Sequence, residues 1–212
     1  GVLSVALCAA AASADLPLRA VAELLWSTDP GLNTCVYRDI ELLHTIPRAE
    51  LTAHRGLLCY KNALTVMNGD TVEGLLVGHT SREWQVNFDA VLELQSRILN
   101  DDEANALNAA NLWMDRLFPS LREGSYYVLE LSVADSARGK GLATLLLEAG
   151  MRRARSKGCS QICLDVSADN PAVAIYERLG FVAEAETRVP YLEDVHGIGT
   201  HPHMVRGLEG WA

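Results

Sequence analysis

The sequence predicts an α/β fold organised around a strand–helix–strand–helix unit at residues 126–181. Two segments, 126–133 and 161–167, have the length and apolar content of buried strands. A long helix is predicted between them, and Gly158 after it can adopt the left-handed cap conformation. A second helix follows the second strand and stops at Gly180.

The part of the chain before residue 32 predicts one strand and one helix. Residues 2–8 are apolar and predict the strand; the segment 2–14 also resembles a signal-peptide core, but it lacks a basic leading segment. Ser13 or Asp15 is the predicted N-cap of the helix, and Asp29-Pro-Gly31 ends it. The apolar face of this helix is formed by Leu18, Val21, Leu24 and Leu25.

Residues 36–58 predict two short helical pieces. Pro47 separates them, because proline removes a backbone donor and disfavours a continuous helix. His44 and His54 are candidate functional residues of this segment, with a surface or core histidine as the alternative at each position.

Residues 60–78 predict a β-hairpin. The strands are expected at 62–67 and 72–78, and Asn68-Gly-Asp70 forms the turn. Asn-Gly supplies the positive φ that such a turn requires.

A helical insertion is predicted at about 81–124. Apolar residues at helical spacing indicate one helix within 88–98 and another within 107–118. The acidic segment 100–103 between them either caps the second helix or faces a cationic substrate. The insertion can form a lid, shape an acceptor pocket or make a dimer contact, and the sequence leaves these three roles open.

The C-terminal part predicts a strand at 182–190, a loop at 191–200 and a last strand at 203–208. His201-Pro-His203 has the composition of a metal-binding pair. No third ligand stands at a convincing spacing in the sequence, so no metal site is predicted.

A glycine-rich turn opens the long helix and has the properties of an anion site. The first backbone N–H groups of a helix have no internal partner, and the helix dipole is positive there. Gly139 and Gly141 lack a Cβ, so a ligand can approach the backbone closely. Arg138 and Lys140 add positive charge. The turn suits a phosphate or pyrophosphate; a tight surface turn with two glycines is the alternative.

The spacing in this turn is neither that of a P-loop nor that of a dinucleotide-binding turn. Leu131-Ser-Val133 precedes Arg138-Gly-Lys-Gly-Leu-Ala143, and Asn170-Pro-Ala-Val-Ala-Ile-Tyr-Glu-Arg-Leu-Gly-Phe181 follows it. This ordered combination resembles the GCN5-related N-acetyltransferase (GNAT) superfamily. The resemblance implies one GNAT domain over residues 1–212. It also implies a mixed, mostly antiparallel twisted sheet with a central splayed parallel strand pair, flanked by helices.

The resemblance also implies which residues bind acetyl-CoA. The backbone N–H groups of residues 138–143 are expected to hold the CoA pyrophosphate. The main chain of Leu131 and Val133 is expected to pair with the pantetheine arm as an added strand. The expected cofactor-binding residues are Leu131, Ser132, Val133, Arg138, Gly139, Lys140, Gly141, Leu142, Ala143, Asn170 and Tyr176.

Two residues are the candidates for catalysis. Tyr176 is similar in position to the family tyrosine that protonates the departing CoA sulfur; a core aromatic is the alternative. Asn170 stands one position closer to this tyrosine than in many family members. Glu130 is the candidate base or water-organising residue, and a solvent-facing strand acid is the alternative. A regular strand places Glu130 and Ser132 on the face of Tyr126, opposite a face formed by Tyr127, Leu129, Leu131 and Val133.

The composition narrows the class of partner. With 27 acidic against 18 basic residues, the formal net charge is -9. This charge argues against a nucleic-acid partner and is compatible with an amine substrate. The five cysteines form no Cys-x-x-Cys pair and are interpreted as reduced thiols of a cytoplasmic protein. No membrane partner is expected, and a homodimer is possible on family grounds.

Together these inferences predict an acetyl-CoA-dependent N-acetyltransferase that acts on a primary amine by direct attack on the thioester. A small-molecule acceptor is preferred because the insertion can close over the pocket, and a protein or peptide amine is the alternative. A non-catalytic acyl-CoA-binding sensor is a second hypothesis. Tyr176 favours catalysis, because binding alone requires no proton donor at that position.

Overall fold

The computed structural model describes residues 4–7, 18–37 and 40–210. Within these residues, seven strands form one sheet that has helices on both faces. The elements in chain order are β1 (Ser4–Leu7), α1 (Leu18–Thr28), α2 (Pro30–Tyr37), α3 (Ile40–Thr52), β2 (Ala63–Asn68), β3 (Thr71–Thr80), α4 (Ser81–Ile98), α5 (Asp101–Leu117), β4 (Ser125–Val133), α6 (Leu142–Ser156), β5 (Gln161–Asp165), α7 (Val173–Arg178), β6 (Val182–Thr187), α8 (Pro190–His196) and β7 (His201–Gly207).

The strand order is β1-β2-β3-β4-β5-β7-β6, and β4 with β5 is the parallel pair. The other neighbouring strands are antiparallel. β4 and β5 pair only from Ser125 and Gln161 to Tyr127 and Cys163, and they separate beyond that point. The predicted mixed sheet with a central splayed parallel pair is therefore confirmed.

Two apolar cores fix the sheet between its helices. On one face, Leu146 and Met151 of α6 are fully buried against Leu76 and Ile162 of the sheet. On the other face, α1 packs against β3 and β4, and α3 packs against α1. The residues of that second core include Val21, Leu24, Leu25, Leu51, Val72, Leu75 and Val77. Because the sheet is covered on both faces, the opening between β4 and β5 is set by rigid, packed elements.

Two helices connect β3 to β4, as predicted for this part of the chain. Thr80 caps α4 and Asn100 caps α5, each through a capping box with the glutamate three residues later. In the second box, Glu103 N–H donates to Asn100 Oδ1 at 2.9 Å, and Asn100 N–H donates to Glu103 Oε2 at 2.9 Å. Of the two roles predicted for residues 100–103, the structure therefore shows helix capping.

A bulge in β4 changes which side chains share a face. The register with β3 shifts between Val77 and Gly78, so that Leu129 is an extra residue in β4. Before the bulge, Tyr126 faces the α6 core; after it, Ser132 faces α1, where its Oγ is 3.0 Å from Ser27 Oγ. The expectation that Tyr126 shares a face with Glu130 and Ser132 is therefore wrong. Its counterpart is wrong as well: Tyr127 and Leu129 pack on the opposite face from Leu131 and Val133.

Two helical segments also differ from the expectations. α3 continues through Pro47, since packing of the buried Ile46 and Leu51 outweighs the loss of one helical hydrogen bond. The predicted loop at 191–200 contains α8, whose Leu192 is fully buried. The predicted strand at 182–190 ends at Thr187.

Some expectations fall on residues outside the described ranges. Ser13, Asp15 and the ends of the predicted first strand are among them, and the strand itself is seen as β1. Among the helices that the structure does describe, none combines the length and apolar character that crossing a bilayer requires.

Candidate functional site

A continuous cleft of ≈ 1520 Å³ crosses the sheet where β4 and β5 separate. At one end it is lined by the turn before α6, including Gly139 and Gly141. At the other end it is lined by the α1–α2 corner and by side chains of α4 and α5. Glu130 and Tyr176 also line the cleft, and they lie near enough to each other for the Glu130 charge to raise the pKa of Tyr176.

The turn before α6 presents free backbone amides to the cleft. The first hydrogen bond of α6 runs from Leu145 N–H to Gly141 O at 3.1 Å, so the preceding amides have no partner inside the helix. Gly139 and Gly141 both have φ 77, in the left-handed region. A Cβ at either glycine would meet nothing within 4 Å, so the space beside this backbone is open to a ligand.

The charged side chains of this turn have partners of their own. Arg138 forms an ion pair with Asp135 at 2.8 Å and still lines the cleft. Lys140 directs its ammonium group toward Glu73, with Nζ 3.9 Å from Oε1. Leu142 and Ala143 line the cleft with the glycines. Five of the six residues 138–143 therefore line the cleft, and Lys140 does not.

The end of β4 also turns backbone groups toward the cleft. Ala134 N–H donates to Glu73 O at 2.9 Å, so Ala134 forms a hydrogen-bonded pair with β3. Because such pairs alternate along an antiparallel ladder, Ser132 is also directed to β3, whereas Leu131 and Val133 direct their N–H and C=O groups to the opposite side. That side is the gap left by β5.

Asn170 and Tyr176 lie on the α7 side of the cleft. Asn170 Oδ1 accepts a hydrogen bond from Ala172 N–H at 2.9 Å, which turns the chain into α7. The Tyr176 ring is 6% exposed and packs edge-on against Phe181 at 5.9 Å. Burial, followed by the charge of Glu130, raises the pKa of Tyr176 to about 12. The phenol therefore keeps its proton at neutral pH.

Glu130 points from the bulge toward α1 and lines the cleft. Burial raises the pKa of Glu130 to about 7, while the Thr28 hydroxyl lowers it and the Asp29 carboxylate raises it further. The Glu130 carboxylate in turn contributes to the raised pKa of Tyr176 and, after burial and Glu50, to the raised pKa of Tyr37. A carboxyl group that titrates near neutral pH can accept a proton during a reaction.

The charged residues are unevenly distributed along the cleft. Its two arginines among the described residues, Arg138 and Arg178, lie on the side of the turn and α7. The other half of the cleft, at the α1–α2 corner, α4 and α5, has the carboxyl groups of Asp29, Asp115, Glu130 and Asp165, while Asp169 lines the cleft next to Asn170. The α4 and α5 side chains that complete this half are Trp84, Gln85, Phe88, Asn111, Met114, Asp115 and Phe118. An acidic, aromatic-walled pocket favours a cationic group.

Sequence reasoning singled out His201 and His203 but did not find their partners. His203 Nδ1 is 2.8 Å from Asp165 Oδ1, and His201 Nε2 is 3.6 Å from Asp29 Oδ2. The two histidines therefore face two different carboxylates, and no group of three metal-ligating side chains occurs among the described residues. Their alternation in the sequence was visible, but their partners are distant along the chain.

The histidine candidates of the first third are not seen at the cleft. His54 is exposed and is not among the residues that line it. The side chain of His44 lies outside the described part of the structure. Asp29, Thr28 and Tyr37 supply the polar groups of this wall instead.

One family of known proteins matches part of this chain. Residues 90–181 match the acetyltransferase (GNAT) family. Mycothiol acetyltransferase from Corynebacterium glutamicum is 44% identical over 80 residues, which is 37% of this chain and 26% of that protein. The chain thus spans about a quarter of the length of this curated relative.

The likeness of fold is more extensive than the likeness of sequence. The crystal structure of an N-acetyltransferase from Staphylococcus aureus Mu50 covers 88% of this chain and 93% of its own, with a TM-score of 0.65 and 13% identity. An acetyltransferase from Bacillus subtilis in complex with CoA covers 87% of this chain and 89% of its own, with a TM-score of 0.51 and 14% identity. At these identities the likeness concerns the fold alone.

Proposed function

We propose that this chain is an acyltransferase of the GNAT superfamily, and that it transfers an acetyl group from acetyl-CoA to a primary amine. The cleft carries this proposal. It has unpaired amides at one end and carboxylates at the other, and Glu130 and Tyr176 also line it. Two reactants of opposite charge can therefore enter from opposite sides and meet at the gap in the sheet.

The residues at the first end fit acetyl-CoA. The open space beside Gly139 and Gly141 and the free amides of the α6 N-terminus suit a pyrophosphate. The outward-facing main-chain groups of Leu131 and Val133 suit the amides of an extended pantetheine arm. Acetyl-CoA, when bound, supplies an acyl group that is already activated as a thioester.

The chain's own residues then have to move two protons. Glu130 takes a proton from the amine, directly or through a water molecule, because its raised pKa places it between the carboxylate and the acid near pH 7. Tyr176 holds its proton at the same pH and donates it to the leaving sulfur. The gap between β4 and β5 lets both groups approach the same reacting atoms.

A small amine is the acceptor that this pocket favours. We call the half of the cleft at the α1–α2 corner, α4 and α5 the acceptor half. Side chains of α4 and α5 form one wall of it, and the Trp84 ring lies edge-on to Tyr127 at 5.2 Å. The carboxylates of this half attract an ammonium group, which must lose a proton before it attacks. The name of the curated relative concerns mycothiol, but the match covers only 26% of that protein. The proposed acceptor class therefore rests on the residues of the pocket and not on the name of that relative.

The test is acetyl-CoA turnover, followed as release of free thiol, against polyamines, aminoglycosides, amino acids and peptides with free N-termini. Tyr176→Phe is expected to lower kcat by about a hundredfold and to leave the KM for acetyl-CoA within about twofold. Tyr191→Phe is the control, because Tyr191 stacks on Trp113 outside the cleft.

Three results would contradict parts of the proposal. Turnover of peptides alone would make the acceptor a protein or peptide amine. Tight binding of acetyl-CoA without turnover of any amine would favour a sensor of acyl-CoA. Failure to bind acetyl-CoA would remove the assignment of the turn before α6.

A further inference from the structure

A second polar site lies where the α1–α2 corner meets β7. His201 is 2% exposed, and its Nε2 atom has no hydrogen-bond partner. Nε2 lies 3.6 Å from Asp29 Oδ2, which is beyond hydrogen-bond distance. Both residues line the acceptor half of the cleft. A buried polar atom without a hydrogen-bond partner destabilises the fold, so binding of a ligand or a proton at Nε2 would be favourable.

The tautomer of His201 decides what the site can bind. Nδ1 is 3.0 Å from the Gly199 carbonyl oxygen, which can only accept, so Nδ1 carries a hydrogen. In the neutral ring, Nε2 is then an acceptor. Asp29 Oδ2 is a second acceptor, while Asp29 Oδ1 already accepts the Leu32 N–H at 2.9 Å. When the ring is neutral, two acceptors thus face each other across 3.6 Å with no hydrogen between them.

The groups around His201 favour a positive charge at this point. Burial lowers the pKa of His201, but Asp29, the Gly199 carbonyl and Asp165 of β5 together raise it above its ordinary value. From α5, Phe118 contributes an aromatic ring at 6.0 Å, edge-on to the imidazole. Either a proton on Nε2 or a cation from the cleft can satisfy the two acceptors.

We infer that Asp29 Oδ2 and His201 Nε2 bind a second ammonium group of the acceptor, so that the preferred substrate is a diamine. An ammonium group has three N–H donors and can donate to both atoms at once. The inference rests on the proposed function, because the first amine is the one acetylated beside Glu130. The bound ammonium takes the place of the proton on His201, so binding of the diamine releases that proton.

The first experiment compares a series of α,ω-diaminoalkanes with the n-alkylamines of the same carbon number. Asp29→Asn removes the charge and keeps an oxygen that can cap α2. The control is Asp102→Asn, an exposed acid in the first turn of α5 and outside the cleft. We expect kcat/KM to favour the best diamine by about tenfold or more in the wild type.

Asp29→Asn is expected to lower kcat/KM for the diamine about tenfold more than for the monoamine, mainly through KM. The comparison of the two substrates is needed because Asp29 also raises the pKa of Glu130. A change in that pKa would alter kcat/KM for the diamine and the monoamine alike. Asp102→Asn is expected to keep the wild-type preference. Equal kcat/KM for diamines and monoamines in the wild type would overturn the inference, as would equal losses in Asp29→Asn.

The second experiment measures the proton. Calorimetric titration of the CoA-bound protein with the best diamine, in buffers of different ionisation enthalpy, reports proton release on binding. The wild type is expected to release a fraction of a proton. His201→Asn is expected to release none, because its amide can still donate to Gly199 O but offers no Nε2. Equal proton release in both proteins would contradict the subsite.

The two levels of the proposal fail separately. If monoamines and diamines are acetylated equally well, the proposed function stands and the diamine subsite is refuted. If no amine is acetylated, the proposed function is refuted. In that case the diamine affinity measured by calorimetry tests the subsite. Weaker diamine binding in Asp29→Asn than in the wild type supports the subsite, and unchanged binding refutes it.

Discussion

Replacing Glu130 with glutamine is expected to remove the base of the reaction while preserving the shape of the cleft. Glutamine has the same length as glutamate, but it cannot take a proton from the attacking amine. General bases in enzymes contribute rate factors of about 10²–10⁴. We therefore expect kcat of Glu130→Gln to fall by about a hundredfold or more at pH 8.

The raised pKa of Glu130 gives this prediction a pH dependence. With a pKa of about 7, the ionised fraction of Glu130 is about 9% at pH 6 and about 91% at pH 8. An ordinary glutamate would be almost fully ionised at both values. The part of the rate that depends on Glu130 should thus rise about tenfold between pH 6 and pH 8.

The acceptor amine also ionises over this range, so the wild-type profile alone does not isolate Glu130. The ratio of kcat/KM between the wild type and Glu130→Gln cancels the contribution of the amine. This ratio is expected to rise about tenfold from pH 6 to pH 8 and to level off above pH 8.

Glu50 provides a matched control. Burial also raises the pKa of Glu50 to about 7, but Glu50 lies in α3, accepts the Leu58 N–H at 3.1 Å and is not among the residues that line the cleft. The ratio between the wild type and Glu50→Gln should not change with pH. A pH-independent ratio for Glu130→Gln would refute the assignment of Glu130 as the titrating base, and a rise of equal size in Glu50→Gln would attribute the pH dependence to stability.

Two further predictions concern stability and cofactor binding. His79 is buried, with Nε2 2.8 Å from Leu57 O and Nδ1 3.1 Å from Asn87 Nδ2, and burial lowers its pKa to about 4. Because the unfolded chain binds a proton there below about pH 6.5, the free energy of unfolding should fall by about 2.6 kcal/mol as pH drops from 6.5 to 4, and by about 3.4 kcal/mol in total at still lower pH. Urea unfolding at several pH values checks this, and His79→Gln should remove that part of the slope; an unchanged slope would contradict it. Gly141→Ala and Gly158→Ala place a Cβ at the same φ of 77 with nothing within 4 Å, so both should lose similar stability. Only Gly141→Ala should raise the KM for acetyl-CoA, and an equal rise in both variants would contradict the role of the turn.

The sheet and the turn before α6 could be predicted because their signals are local. The predicted strand at 126–133 and the helix behind Gly141 depend on patterns within a few residues. Local signals also existed for α8, since Pro190 stands at its first positions and Gly197 takes the left-handed cap. That helix is short and has little apolar periodicity, so the sequence did not distinguish it from a loop.

The face of Glu130 could not be predicted, because it depends on another strand. Residues 126–133 alternate as a regular strand would, and nothing in them marks the bulge. The register shift lies opposite Gly78, where a Cβ would come within 2.4 Å of the Tyr126 ring. Gly78 makes room for Tyr126, and this contact joins residues that are far apart in the sequence.

The acidic half of the cleft could not be predicted for the same reason. Asp29 meets His201, and Asp165 meets His203, only after the α1–α2 corner and β7 have packed against the sheet. In sequence, the two histidines suggested at most an incomplete metal site. The geometry of His201 with Asp29 is instead the basis of the inferred subsite for a cationic group, and His203 is not among the residues that line the cleft.

The bulge and the strand gap together explain why the chemistry is expected at one point of β4. Where β5 leaves, Leu131 and Val133 turn their main chain into the gap, in the plane of the sheet. The extra residue Leu129 turns Glu130 out of that plane toward α1, away from the α6 core that Tyr126 enters. In the proposed function, one strand would thus offer hydrogen bonds to an extended cofactor and a carboxylate to the acceptor. A strand without the bulge would direct that carboxylate into the apolar core, where an unpaired charge is strongly disfavoured.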